Sequence, residues 1–94
     1  MASNFEDYSI VWLKSAHKSF EKLPTINQKN IIKQIDLLST SHENSDIKKL
    51  KGYSTLYRLR VGDYRIVFSI DKQNKQIRIS AVGHRRDIYN ILIN

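Results

Sequence analysis

The stretch Tyr57-Arg-Leu-Arg-Val-Gly-Asp-Tyr-Arg-Ile-Val-Phe68 decides the fold. Apolar and basic residues alternate from Tyr57 to Val61, the period-two pattern of a strand with one covered face. Gly62-Asp63 provides a residue that tolerates positive φ, as a two-residue hairpin turn requires. A loop of that length sets the register. Val61 then faces Tyr64, Leu59 faces Ile66 and Tyr57 faces Phe68, six side chains suited to a buried face. The opposite face receives Arg60 across from Arg65, and Arg58 across from Val67. Like charges directly opposed on a sheet repel. An anion held between them would resolve this, and guanidinium groups bind phosphate bidentately. The alternative is a solvated outer face on which screening and splayed side chains remove most of the repulsion.

Working outward, Ile77-Arg-Ile-Ser-Ala-Val-Gly83 reads as the next strand. With Ile77, Ile79 and Ala81 toward the core, alternation puts Arg78, Ser80, Val82 and His84 on the arginine face. Upstream, Tyr8 to Leu13 is rich in β-branched and aromatic residues and predicts a first strand. Ser15 can cap a short helix carrying Ala16, Phe20 and Leu23 and ended by Pro24. Thr25 can cap a second helix running to about Ser39, with Ile31, Ile35 and Leu38 as its apolar stripe and Ile32 at the edge. Ser39 to Asp46 reads as a polar surface loop, and residues 85–94 place Ile88, Ile91 and Leu92 at helical spacing. The order β-α-α-β-β-β-α predicts one α+β domain over residues 1–94. In it a helical hairpin packs on one face of a mainly antiparallel four-stranded sheet.

Charge is segregated along the chain. Residues 1–47 hold five Lys/Arg and six Asp/Glu, whereas residues 48–94 hold eleven Lys/Arg and three Asp. A neutral half joined to a strongly basic half suits a polyanionic partner. The absence of cysteine removes disulfides, thiolate zinc sites and thiol chemistry, and fits a reducing compartment. No apolar run approaches the roughly 20 residues of a membrane span, and Met1 to Tyr8 is too polar for a secretory signal. A soluble, cytoplasmic protein is expected.

The candidate chemistry is narrow. His17, His42 and His84 are scattered, and no carboxylates cluster with metal-ligand spacing, so no metal is expected. There is no Gly-x-Ser-x-Gly elbow and no glycine-rich phosphate loop. RNA cleavage through the 2′-hydroxyl requires a base, cations for the phosphorane and an acid for the 5′ leaving oxygen. The available groups are the arginines and His84, the latter able to titrate near neutrality. Tyr89, four residues after Arg85, could stack on an unpaired base.

Taken together, Leu50-Lys-Gly52, the Tyr57–Phe68 hairpin and Val82-Gly-His-Arg-Arg-Asp-Ile-Tyr89 resemble the signature of RelE-type toxins of the RelE/ParE superfamily. The order of the motifs matches across nearly the whole chain. The resemblance implies a ribosome-dependent endoribonuclease, an mRNA interferase that cuts mRNA in the A site of the 70S ribosome and needs no cofactor. It also implies a cognate RelB-like antitoxin. By position, Arg58 and Arg60 match the basic residues of the first hairpin strand, and Arg65 matches the arginine that stabilises the transition state. Arg85 matches the general acid and Tyr89 the stacking tyrosine. Lys51 and Arg86 lie within the same motifs and are expected to contact RNA. The family pattern has lysines where this chain has Arg58 and Arg60. Arginine stays protonated, so Arg60 is expected to bind phosphate while His84, or Tyr89, assists proton transfer. Two further readings share the basic face: a ParE-like toxin that inhibits gyrase without nuclease activity, and an RNA-binding module without catalysis.

Overall fold

A computed structural model describes residues 7–40, 46–50 and 56–88. Strand β1 (Ser9–Trp12) leads into helices α1 (Lys14–Glu21) and α2 (Thr25–Thr40). Four strands follow: β2 (Ile47–Lys49), β3 (Leu56–Val61), β4 (Tyr64–Asp71) and β5 (Gln76–His84). They form one five-stranded sheet of order β1-β5-β4-β3-β2, in which only the β1–β5 pairing is parallel. The α+β class and the mainly antiparallel sheet agree with expectation. The strand count does not: β2 adds a fifth strand immediately after Asp46. Three residues are too few to display an alternation, and two of them are exposed lysines, so the segment carries no strand signature of its own.

The central hairpin forms in the anticipated register, with Leu59 opposite Ile66, Tyr57 opposite Phe68 and Arg60 opposite Arg65. Gly62 sits at φ 59°, the left-handed conformation this turn demands. Leu59, Ile66, Phe68, Ile77, Ile79 and Val82 from the sheet meet Ala16 and Phe20 of α1 and Ile31, Ile35 and Leu38 of α2 in a single buried cluster. Ile32 lies at the exposed edge of the α2 stripe. Tyr57 stacks on Phe68 with ring centroids 5.6 Å apart, and Trp12 leans on Phe20 at 5.0 Å.

Two helix starts differ from the reading of the sequence. Leu13, not Ser15, occupies the N-cap of α1 and makes no side-chain cap. Thr25 is the first residue of α2, and the Pro24 carbonyl accepts from the N–H groups of Asn27 and Gln28, both at 3.0 Å. A proline fits there because its fixed φ and missing N–H cost nothing before the first turn. The Gln28 amide then donates to the Leu23 and Glu21 carbonyls at 2.9 and 3.2 Å, closing the hairpin between the helices.

One irregularity positions everything that follows. Val67 pairs with Ala81, yet Phe68 pairs with Ile79, leaving Ser80 as an extra residue in β5. Such a bulge reverses the facing of every side chain beyond it. Ile77 and Ile79 face the helices as expected. Past Ser80, however, Val82 joins the helix-side core, and Ala81 and Gly83 turn to the arginine face.

Candidate nucleic-acid interface

The uncovered face of the sheet is built in rows. One row runs Arg60–Arg65–Gly83 and the next Lys48–Arg58–Val67–Ala81. Asp46 flanks the first row beside Arg60: its carbonyl accepts the Arg60 N–H at 3.0 Å and its Oδ1 lies 2.9 Å from Arg60 Nη2. Arg65 is turned toward the hairpin turn, with Nη1 donating to the Gly62 carbonyl at 2.8 Å and the Tyr64 carbonyl at 3.0 Å. Arg58 is half-buried, and its Nε is a buried donor with no hydrogen-bond acceptor among the described residues. An orphan donor of this kind costs free energy on the order of 1–3 kcal/mol until an acceptor arrives.

The electrostatics express the same crowding. Burial, followed by the charges of Arg58, Arg60 and Arg85, pushes the Arg65 guanidinium below its usual value, and Asp63 pulls it back up. Arg65 therefore feels three other arginines, including one from beyond the end of β5. It stays a cation at neutral pH, so the crowding is a standing repulsion that a bound anion would relieve.

Arg85 arrives by a short helical turn at residues 85–88. Its N–H donates to the Asp63 carbonyl at 2.8 Å, tying the turn to the hairpin loop. A Cβ built on Gly83 would lie 3.4 Å from Ile88 Cδ1. The turn thus folds back against the end of β5, where Asp87 and Ile88 border the same hollow as Ser19, Leu23 and Pro24. Ile88 is buried, 2% exposed, at that end of the sheet. Arg86 is exposed, and Arg78 sits at the far end of the face, 3.1 Å from Asp71 Oδ2.

His84 is the correction. It pairs with Tyr64, not with an arginine, and its ring meets the Tyr64 ring edge-on at 5.9 Å on the helix side of the sheet. The hollow beside it, about 420 Å³, is walled by Ser19 of α1, by Lys22 and Leu23 just after that helix, and by Asp87 and Ile88. The bulge at Ser80 is the physical cause, since without it His84 would have shared the arginine face. The structure thus gathers Arg58, Arg60, Arg65 and Arg85 and separates His84 from them. Lys51 and Tyr89 lie outside the described residues, as does most of the expected C-terminal helix. Lys48 and Asp46 were missed by sequence reasoning. The only signal for them was their place just before Leu50-Lys-Gly52, which becomes informative once β2 is known to pair with β3.

A family model described as the ParE toxin of type II toxin–antitoxin systems, parDE, matches residues 10–89. The chain belongs to the RelE/ParE toxin family. It is 35% identical over 89 residues to Toxin RelE3 of Methanocaldococcus jannaschii, covering 86% of this chain and 94% of that protein. Among solved structures, the archaeal RelE–RelB complex from Pyrococcus horikoshii OT3 superposes with a TM-score of 0.71. Sequence identity there is 30%, over 83% of this chain and 94% of that one. A RelB–RelE antitoxin–toxin complex from Methanococcus jannaschii gives 0.70 at 31% identity, over 86% and 96%. The chain is thus a RelE-type toxin of a toxin–antitoxin system, as its motifs imply.

If the RelE-type basic face is an anion site, inorganic phosphate should stabilise the fold beyond its general salting effect. At nine times the dissociation constant the gain is about 1.4 kcal/mol, or roughly 6–11 °C in Tm for a domain of this size. Melting in phosphate and chloride at matched ionic strength measures it. The excess should vanish in the Arg58→Ala/Arg65→Ala double variant. An equal excess in that variant would place the anion elsewhere.

Proposed function

We propose that this toxin is a ribosome-dependent endoribonuclease that cuts mRNA in the A site, without a metal, by attack of the 2′-hydroxyl on the adjacent phosphate. What supports the reading is that Arg58, Arg60 and Arg65 share the open side of the sheet, that the charge of Arg85 reaches Arg65, and that Arg58 Nε is buried with no acceptor among the described residues. That arrangement suits a scissile phosphodiester whose charge grows in the transition state, where preorganised cations act most strongly. Arg58 and Arg60 hold the phosphate, with Lys51 and Arg86 as further RNA contacts. Arg65 stabilises the phosphorane, Arg85 protonates the leaving oxygen and Tyr89 stacks on the substrate nucleotide. With His84 on the other side of the sheet, the 2′-hydroxyl proton passes to solvent water, with Tyr89 assisting its removal.

The partner in this reading is an antitoxin resembling RelB, as in the complexes of the archaeal relatives. An acidic, helical protein would be drawn to the basic half of the chain. A gyrase-inhibiting activity is the second reading, supported by the parDE description of the matching family model. Mapping mRNA ends on translating ribosomes alongside a DNA supercoiling assay separates the two. Codon-periodic cleavage is the expected result. Intact mRNA with lost gyrase activity would replace the nuclease reading by the gyrase one.

A further inference from the structure

We propose that His84 is a positioning residue that caps the helical turn at residues 85–88 through Nδ1 and thereby holds Arg85 beside Arg65. The inference deepens the nuclease reading and rests on it for the role of Arg85, but the cap itself is a statement about the fold.

The backbone N–H of Arg86 donates to His84 Nδ1 at 3.3 Å. Counting His84 as the N-cap, Arg86 is the second helical residue, whose N–H has no carbonyl partner within the turn. Cap side chains ordinarily supply that acceptor from serine, threonine, aspartate or asparagine. Here an imidazole does so, which requires Nδ1 to be unprotonated and leaves Nε2 as the donor. The ring itself is located by Tyr64, which meets it edge-on at 5.9 Å and 79°. Ser19 of α1, Lys22 at its C-cap and Asp87 from the turn border the same hollow.

Three contacts then fix the turn from three sides. The His84 ring holds the Arg86 N–H, the Asp63 carbonyl holds the Arg85 N–H at 2.8 Å, and Ile88 packs over Gly83. The bulge at Ser80 makes the cap possible, because it sends residue 84 to the helix side, where Asp87 and Ile88 of the turn border the same hollow. Arg85 is exposed and long, so its placement depends on the backbone that carries it. Losing the cap lets the first turn fray.

The test compares His84→Ala with His84→Asn in the full chain, using two readouts. Hydrogen exchange at the Arg86 amide should speed up about fivefold in His84→Ala and stay near wild type in His84→Asn. Cleavage of mRNA on translating ribosomes should fall about tenfold in kcat in His84→Ala with little change in KM, and asparagine should restore it. Unchanged Arg86 exchange in His84→Ala would overturn the cap. A dead His84→Asn with wild-type exchange would also overturn the proposal, by showing that the imidazole acts chemically. If the wild type cuts no mRNA, the nuclease reading falls and the exchange measurement alone decides the cap. Should His84→Ala fail to fold, His84→Leu, which likewise offers no acceptor, against His84→Asn provides the same comparison.

Discussion

Arg65→Ala is expected to cut the rate of mRNA cleavage by about 10²–10³-fold, mostly in kcat, and to abolish growth arrest on expression. Loss of a single preorganised donor to a developing charge has effects of that size. Arg65 is the central member of the cluster, facing Arg60 on β3 and Gly83 on β5 and sensing the charges of Arg58, Arg60 and Arg85. Its carbonyl contacts at Gly62 and Tyr64 place the guanidinium before substrate arrives, so truncation removes orientation as well as charge. Thermal stability should hold or rise slightly, because the variant also removes a mutual repulsion. That pairing of an intact melting curve with lost activity distinguishes a site residue from a structural one. Arg85→Ala should behave in the same way. Sustained growth arrest in both variants would remove the arginine face from the mechanism.

Phe68→Ala should destabilise the protein by about 3–5 kcal/mol, the usual cost of removing a buried phenyl ring. Phe68 is 2% exposed, lies on the central strand and stacks on Tyr57. It is also the residue opposite which β5 resumes its pairing after the bulge, so a cavity there loosens both neighbours of β4. For a chain whose total stability is on the order of 5–10 kcal/mol, most of the folded margin goes. Urea denaturation measures it directly, and a loss below about 1 kcal/mol would mean that this core re-packs freely around the gap. Because the arginines hang from the same strands, activity should fall with stability and recover at low temperature, unlike that of Arg65→Ala.

Much of this protein is legible locally. Alternation from Tyr57 to Phe68 and the two-residue Gly62-Asp63 loop specify a hairpin with every side chain assigned to a face, and the structure reproduces that pairing residue by residue. The helical stripe of Ile31, Ile35 and Leu38 is equally plain, because a periodic apolar pattern needs no knowledge of its partner. The four arginines follow from those two facts and from the turn after β5. The rest was decided in three dimensions. Strand β2 exists because β3 offers it an open edge, not because Ile47-Lys48-Lys49 favours extension, and with it came Lys48 and the Asp46–Arg60 ion pair. Ser80 bulges where the pairing of β5 with β4 must change phase, a property of two strands that neither states alone. That single extra residue moved His84 from the arginine face, where alternation alone puts it, to the helix side beside Tyr64.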